Sequence, residues 1–438
     1  MKSTTAFFWR VDGPFTGHSD TIRIANARYN RVNSSRRTAY LGAGMVNDAD
    51  LVTRFSWTTR SRSLRRLAVT GGGAVLLSAL LQTSAFADCT FALVNPPGPL
   101  GRALAASINA VSSSITTSST AFQTQTNAFI ASPPGSQPNE FAGGLWARGV
   151  GGTTIVDATT TVRHAAPATT TTCANASGSD YTGVQGGFDF GTLSFGNSGV
   201  NIHGGLTFGY LDVNSTAGPS PTRIGTEAPF VGLYGALTYQ NFYIDFQLRR
   251  DFYTLNFSDA ELGVSGTKFN ARGWGISSNA GYNYNFGNFF VEPSVGVNYS
   301  LTSVDTLALT PTLGPTTTLQ LIKMNDVESV LGRAGVRVGT NFNAAGMALQ
   351  PFLAASVWNE FASNMTGNRV NLAAGSTDFF NTNRIGTFGQ YSFGVAGSLP
   401  STGWLGYVRG DYRNGENIKG WSVNGGLRYQ FAPAAAKG

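Results

Sequence analysis

The side chains most often recruited for chemistry are thinly spread along this chain. Beyond residue 87 the histidines are His164 and His203. A Ser–His hydrolase needs a histidine beside a nucleophilic hydroxyl, with an acid or amide orienting the ring. His164 lies in a Thr-rich stretch with nothing nearby in sequence to fix it. His203 alternates with Ile202 and Gly204 and shares a polar face with Asn201 and Thr207, the pattern of a histidine lining an interior wall. Carboxylates come as scattered singles rather than the pairs that acid–base catalysis uses. Neither Gly143-Gly144 nor Gly151-Gly152 is followed by a helix start or a lysine, so neither cradles phosphate. Two cysteines, Cys89 and Cys173, cannot build a structural metal site alone; either they pair with each other or they are incidental. These residues predict no enzyme, no metal and no cofactor.

A second set of charged residues is more orderly. Arg148, Asp245, Arg249, Glu292, Arg333, Arg337, Arg409, Asp411 and Arg428, with Asp189, Asp251 and Arg272, are assigned to the polar face of alternating segments. Charges so placed have two readings. They pair across neighbouring strands, at about 0.2–1 kcal/mol each, or they line a pore and set its ion preference. Both readings need the same residues on the same face.

The elements that must position them have a period of two. In 242–249, Phe242, Ile244, Phe246 and Leu248 alternate with Tyr243, Asp245, Gln247 and Arg249. In 289–299, Phe289, Val291, Pro293, Val295, Val297 and Tyr299 alternate with Phe290, Glu292, Ser294, Gly296 and Asn298. The same alternation runs through 330–339 and 421–431. Twelve such segments are expected, at 141–151, 181–191, 199–211, 227–239, 242–255, 269–285, 289–302, 327–340, 347–361, 386–398, 404–413 and 419–431. Most are longer than a soluble strand and as long as one that crosses a bilayer. Aromatics such as Tyr239, Phe242, Phe289, Trp404 and Tyr429 gather near segment ends, as an interfacial girdle requires. Connections alternate between short and long, the long ones falling at 152–180, 212–226, 256–268, 303–326 and 362–385. An even strand count closes a ring with both ends on one side. The fold class expected is all-β, a closed antiparallel transmembrane β-barrel of about twelve strands.

Composition agrees. Only 12% of residues are charged, against about 25% in a soluble domain. Thirty Phe, fifteen Tyr and seven Trp exclude a disordered chain. A mean hydropathy of −0.05, without long apolar runs past the N-terminal region, excludes a bundle of membrane-spanning helices. The formal charge of +7 does not point to nucleic acid. Residues 1–87 hold 12 Lys/Arg against 4 Asp/Glu, whereas 88–438 hold 18 against 19.

That basic stretch reads as a targeting segment. Arg54, Arg60, Arg62, Arg65 and Arg66 precede an apolar run, 67–81, and Ala85-Phe86-Ala87 offers a cleavage site. Residues 1–87 are therefore expected to be an extension plus signal peptide, cleaved near Ala87, with Met45 as a second candidate start. Residues 88–140 form a short N-terminal or linker segment bounded by Pro/Gly clusters. Within it Leu100, Leu104, Ile108, Val111, Ile115, Phe122 and Phe129 recur at helical spacing among Ser, Thr, Asn and Gln. A polar helix near 98–131, placed to occupy the pore, is expected; a periplasmic spacer is the alternative. The barrel spans 141–431 and a tail covers 432–438.

Four pieces in order resemble an autotransporter β-domain, the barrel of type V secretion. They are the first strand, Phe141 to Gly152, the hairpin from Gly287 to Tyr299, Gly332 to Arg337, and the closing Gly426 to Phe431. The resemblance implies an outer-membrane barrel with a helix in its pore that delivers an N-terminal passenger. Between Asp88 and Glu140 there is no room for the usual long passenger, so a translocator or surface scaffold with little or no passenger is expected. The rival is a narrow porin-like channel for small solutes, gated or plugged by the helix. Expected partners are outer-membrane lipids and, through the resemblance, the barrel-assembly machinery, whose aromatic end signal is here followed by Ala432–Gly438. No nucleic acid is expected, and the barrel is expected to be a single chain in the outer membrane of a Gram-negative bacterium.

Overall fold

The computed structural model describes residues 89–91, 99–122, 139, 141–165, 168–218, 221–313, 316–399 and 402–431. The targeting segment, Phe129 and the tail after Phe431 lie outside the described residues.

Among the described residues, twelve antiparallel strands close into a ring. They are β1 (Phe141–His164), β2 (Thr169–Thr192), β3 (Val200–Gly218), β4 (Thr222–Tyr239), β5 (Phe242–Asp259) and β6 (Val264–Tyr282). The second half holds β7 (Phe289–Val304), β8 (Val327–Thr340), β9 (Met347–Glu360), β10 (Thr387–Leu399), β11 (Trp404–Gly415) and β12 (Ile418–Gln430). Each strand pairs with its successor, and β12 returns to β1 with Gly144 opposite Gln430 and Val156 opposite Ile418. Closure leaves no open strand edge, and in lipid each unpaired backbone group costs several kcal/mol.

The strands outrun the membrane. Ten residues tilted by about 40° rise about 25 Å, the height of an outer-membrane apolar band. Strands β1 and β2 each have 24 residues, so more than half of each stands beyond that band. Segments 152–164 and 169–180, expected as a loop, are strand. Shorter strands at Leu307–Leu309, Gln320–Met324, Met365–Asn371 and Ser376–Thr382 continue the wall and join β1 through Asp378 opposite His164.

Along each of β3, β4 and β5 the polarity of the two faces inverts. In the first half of β5, Phe242, Ile244 and Phe246 point out while Tyr243, Asp245, Gln247 and Arg249 point in. In its second half Asn256 points out while Tyr253, Leu255 and Phe257 are buried inside. On β3, Leu206, Phe208 and Tyr210 outside give way to Asn214 and Thr216, while Leu211, Val213 and Ala217 fill the interior. The lower ring is therefore apolar outside and polar inside, as lipid demands. The upper ring is polar outside and packed inside with apolar side chains interspersed with small buried hydroxyls such as Ser179 and Ser215.

That interior is completed by α1 (Pro99–Thr120). Its Leu104, Ile108, Val111 and Ile115 join Leu211, Val213, Ile224, Leu255, Phe257 and Ile322 in one apolar cluster. Ser and Thr are mediocre helix formers in water, and most helical stability comes from tertiary packing. Here every side chain from Ala103 to Thr120 is buried or nearly so. The helix stands inside the ring.

Candidate functional site

The candidate site is the contact between α1 and the wall. At mid-helix the contacts are small and polar: Asn109 Nδ2 donates to the carbonyl of Val156 at 3.1 Å. Ser113 and Ser179 hydroxyls lie 3.2 Å apart, Ser114 and Ser215 2.8 Å, and Ser179 and Ser215 2.7 Å. These bonds satisfy hydroxyls that would otherwise be buried without partners.

At its C-terminus a helix leaves its last carbonyls without backbone partners and carries partial negative charge. The last turn of α1 contains no basic residue; the wall supplies two. Arg249 on β5 donates through Nη2 to the Ser118 carbonyl at 2.8 Å. Arg148 on β1 donates through Nη2 to the Phe122 carbonyl. Each arginine is held in turn, Arg148 Nε by Gln185 Oε1 at 2.7 Å and Arg249 Nε by Asp251 Oδ1 at 2.8 Å. The Phe122 ring packs against Phe230, with centroids 5.5 Å apart. It sits where β2 carries Gly183, and a Cβ there would fall 2.9 Å from Phe122 and 2.5 Å from Leu211.

Below the helix the lumen is a set of paired charges. Arg428 reaches across β1 to grip Asp189 through two bonds of 2.7 and 2.8 Å. Tyr234 donates to the same carboxylate at 2.8 Å and accepts from Trp146 Nε1 at 2.7 Å. Arg337 pairs with Glu292 at 2.5 Å, and Tyr243 donates to Glu292 at 3.2 Å. Arg409 pairs with Asp411, to which Asn424 also donates at 3.0 Å. Asp245 accepts from Asn279 at 2.9 Å, and Arg333 donates to Ser294 at 3.2 Å.

All nine residues assigned to the lumen face it, and most are matched with a partner there. Arg272 does not: it is exposed on the outer face of β6, in phase with Trp274. Above the membrane band the outer face is itself polar, so polarity no longer separates inside from outside. His203 is buried on the inner face of β3, and its ring occupies the space a side chain at Gly191 would need. His164, expected to be unfixed, is fixed. Its Nδ1 lies 3.1 Å from Asp378 and its Nε2 3.1 Å from Thr171, tying the β1–β2 hairpin to the strand Ser376–Thr382. Cys173 is disulfide-bonded, and strand Cys89–Phe91 pairs with β2 so that Cys89 stands opposite Cys173.

Sequence reasoning missed Gln185, Ser179, Ser215, Tyr234 and Arg413. Arg413 was within reach, since it follows Arg409 and Asp411 in period two and donates to Gln390 at 3.0 Å. The serines were not, because short hydroxyl side chains carry no sign of their partner.

A closed antiparallel barrel with a lipid-compatible belt and its own helix inside defines a transmembrane β-barrel plugged by its N-terminal segment. The family model for the autotransporter beta-domain matches residues 145–411, and the chain belongs to that family, whose members are outer-membrane proteins of Gram-negative bacteria. It is 35% identical over 99 residues to "Autotransporter CRAC" of Citrobacter rodentium, a match covering 22% of this chain and 6% of that protein. It is 25% identical over 264 residues to "Probable autotransporter YcgV" of Escherichia coli, covering 57% of this chain and 25% of the other. The chain thus spans a quarter or less of these relatives. Its fold is similar to the transport unit of the autotransporter AIDA-I from Escherichia coli, with TM-score 0.51, 15% identity, and coverage of 74% of this chain and 98% of that one.

Proposed function

We propose that this outer-membrane translocator barrel carries its own N-terminal segment to the cell surface and is then sealed by it, acting as a surface scaffold with little or no passenger. The observation that carries the reading is the burial of α1. Ile108 and Val111 are fully buried, packed among apolar side chains contributed by the outer halves of the wall strands. A packed core of this kind excludes water at that level, so the lumen below it is a closed vestibule. The direction of α1 supports delivery. Its N-terminal half packs in the upper ring and its C-terminal end meets Arg148 and Arg249 at the height of the membrane band. Strand Cys89–Phe91 pairs with β2 close to the outer end of the β1–β2 hairpin. A disulfide between Cys89 and Cys173, part of the same proposal, would form only after this strand had reached the outer face.

The rival is a narrow solute channel gated by α1, and the paired charges of the lower lumen suit either reading. Conductance separates them. In planar bilayers the intact protein should show no steady channel, and deletion of 99–122 should open one. Steady conductance by the intact protein would transfer the reading to the channel.

A further inference from the structure

On the outer face of β5 and β6 two arginines stand where the lipid-facing surface turns polar. Arg250 lies opposite Trp274 and Phe252 opposite Arg272, so the two arginines are diagonal neighbours about 7–8 Å apart. Below them the outward residues are Phe246, Leu248 and Ile276; above them Thr254, Asn256 and Asn270. Lys268, opposite Asn256, continues the positive tract. The Arg250 guanidinium lies 4.7 Å from the centroid of the Trp274 ring and 5.8 Å from that of Phe252, which holds the charge at the head-group level. Among the described residues no carboxylate lies within ion-pairing distance of Arg250, Arg272 or Lys268. Inside the wall the neighbouring Arg249 has Asp251; outside, the nearest acid is Asp305, opposite Asn270 and diagonal to Arg272 and Lys268, and it forms no ion pair with them, so the face stays net positive. The outward acids Asp212 and Glu227 face each other across β3 and β4 instead.

We propose that this face binds the phosphate of an outer-leaflet glycolipid head group. Two arginines at diagonal positions on neighbouring strands can turn several N–H donors to one phosphate, a group that arginine binds well. Trp274 and Phe252 give the lipid an apolar flank just below, and Lys268 adds charge above. The occupant is a membrane lipid rather than a soluble anion because the pair sits at the edge of the hydrocarbon, where a phosphate arrives tethered to acyl chains. This inference rests only on placement in the outer membrane and is independent of the plug.

The test is native mass spectrometry of the full chain in neutral-lipid nanodiscs doped with a phosphorylated lipid A-type glycolipid, or with the same lipid after enzymatic dephosphorylation. The wild type should retain the phosphorylated lipid and lose the dephosphorylated one. R250Q/R272Q should weaken retention about thirtyfold, as loss of two interfacial cations implies. R163Q, high on β1, should leave retention unchanged, and R250K/R272K should restore part of it. Equal retention of both lipids, or full retention by R250Q/R272Q, would overturn the proposal. Complete displacement by millimolar inorganic phosphate would also overturn it, by making the face a site for the free ion. The lipid comparison uses the wild type alone, so the proposal stays testable if a glutamine variant does not fold.

Discussion

Arg249 donates to the carbonyl of Ser118 across 2.8 Å, so a barrel strand caps the helix that runs through the barrel. The cap lies in the wall, 131 residues from the carbonyl it satisfies, and Arg148 repeats it at Phe122. Such a bond ties plug to wall through the end of the helix that its own sequence leaves bare.

Removing these caps should loosen the plug. A hydrogen bond to a charged donor contributes about 1.5–3 kcal/mol, so R249Q should raise the open population roughly ten- to a hundredfold. R148Q/R249Q should raise it further. Open probability in single-channel recordings measures this, and wild-type silence in both variants would deny the caps their role.

Gly183 makes a separate prediction about the same end of the helix. A methyl group there meets Leu211, the Tyr210 carbonyl and Phe122 at 2.5–2.9 Å, none of which yields without moving α1 or β3. G183A should therefore displace Phe122 and produce brief openings like those of R148Q/R249Q, with the barrel still folded by heat-shift on gels. Silence in G183A would place Phe122 outside the seal.

The closing seam depends on Arg428 and Asp189, both buried and joined by two bonds. Losing one partner leaves a buried charge alone, at about 3–5 kcal/mol. D189N should lower the urea midpoint for barrel unfolding, whereas D189L/R428M should lower it less. If the double substitution costs more than the single one, the pair is not the seam's tie.

The inversion of the faces predicts opposite responses along one strand. Phe246 is half exposed in the belt and Asn256 is exposed above it. An arginine facing lipid near the midplane costs about 2–4 kcal/mol, falling to about 0–1 near the interface. F246R should destabilise the folded barrel in lipid and N256R should not, measured by reversible unfolding in vesicles. Equal effects would move the membrane band.

Much of this architecture is legible in the sequence, and the reasons are local. Phe242, Ile244 and Phe246 against Asp245 and Arg249 declare a strand with lipid on one side and a polar lumen on the other. Above the belt the code weakens. Thr and Ala dominate both faces of 152–180, so strand extensions such as Thr159 opposite Ala174 read as loop. Arg272 shows the same failure for a single residue. The lumen charges were legible as a set, but their partners were not, because Arg428 finds Asp189 across 239 positions. The apolar stripe of α1 was visible, while its burial on all sides depends on Leu211, Leu255 and Phe257, whose phase changes only once the strand has left the membrane.

The central claim is that the N-terminal segment has crossed and stands at the outer face with α1 sealed behind it. The most direct test labels Cys89 in intact cells with a membrane-impermeant maleimide, using C173S to leave Cys89 as the reporter and an N-terminal deletion lacking Cys89 to confirm reaction at Cys173. The account predicts that Cys89 labels without lysis, as fully as Cys173 does in its own variant. With Cys173 labelled in intact cells in its own variant, labelling of Cys89 only after the cells are opened would place that segment in the periplasm and contradict the account.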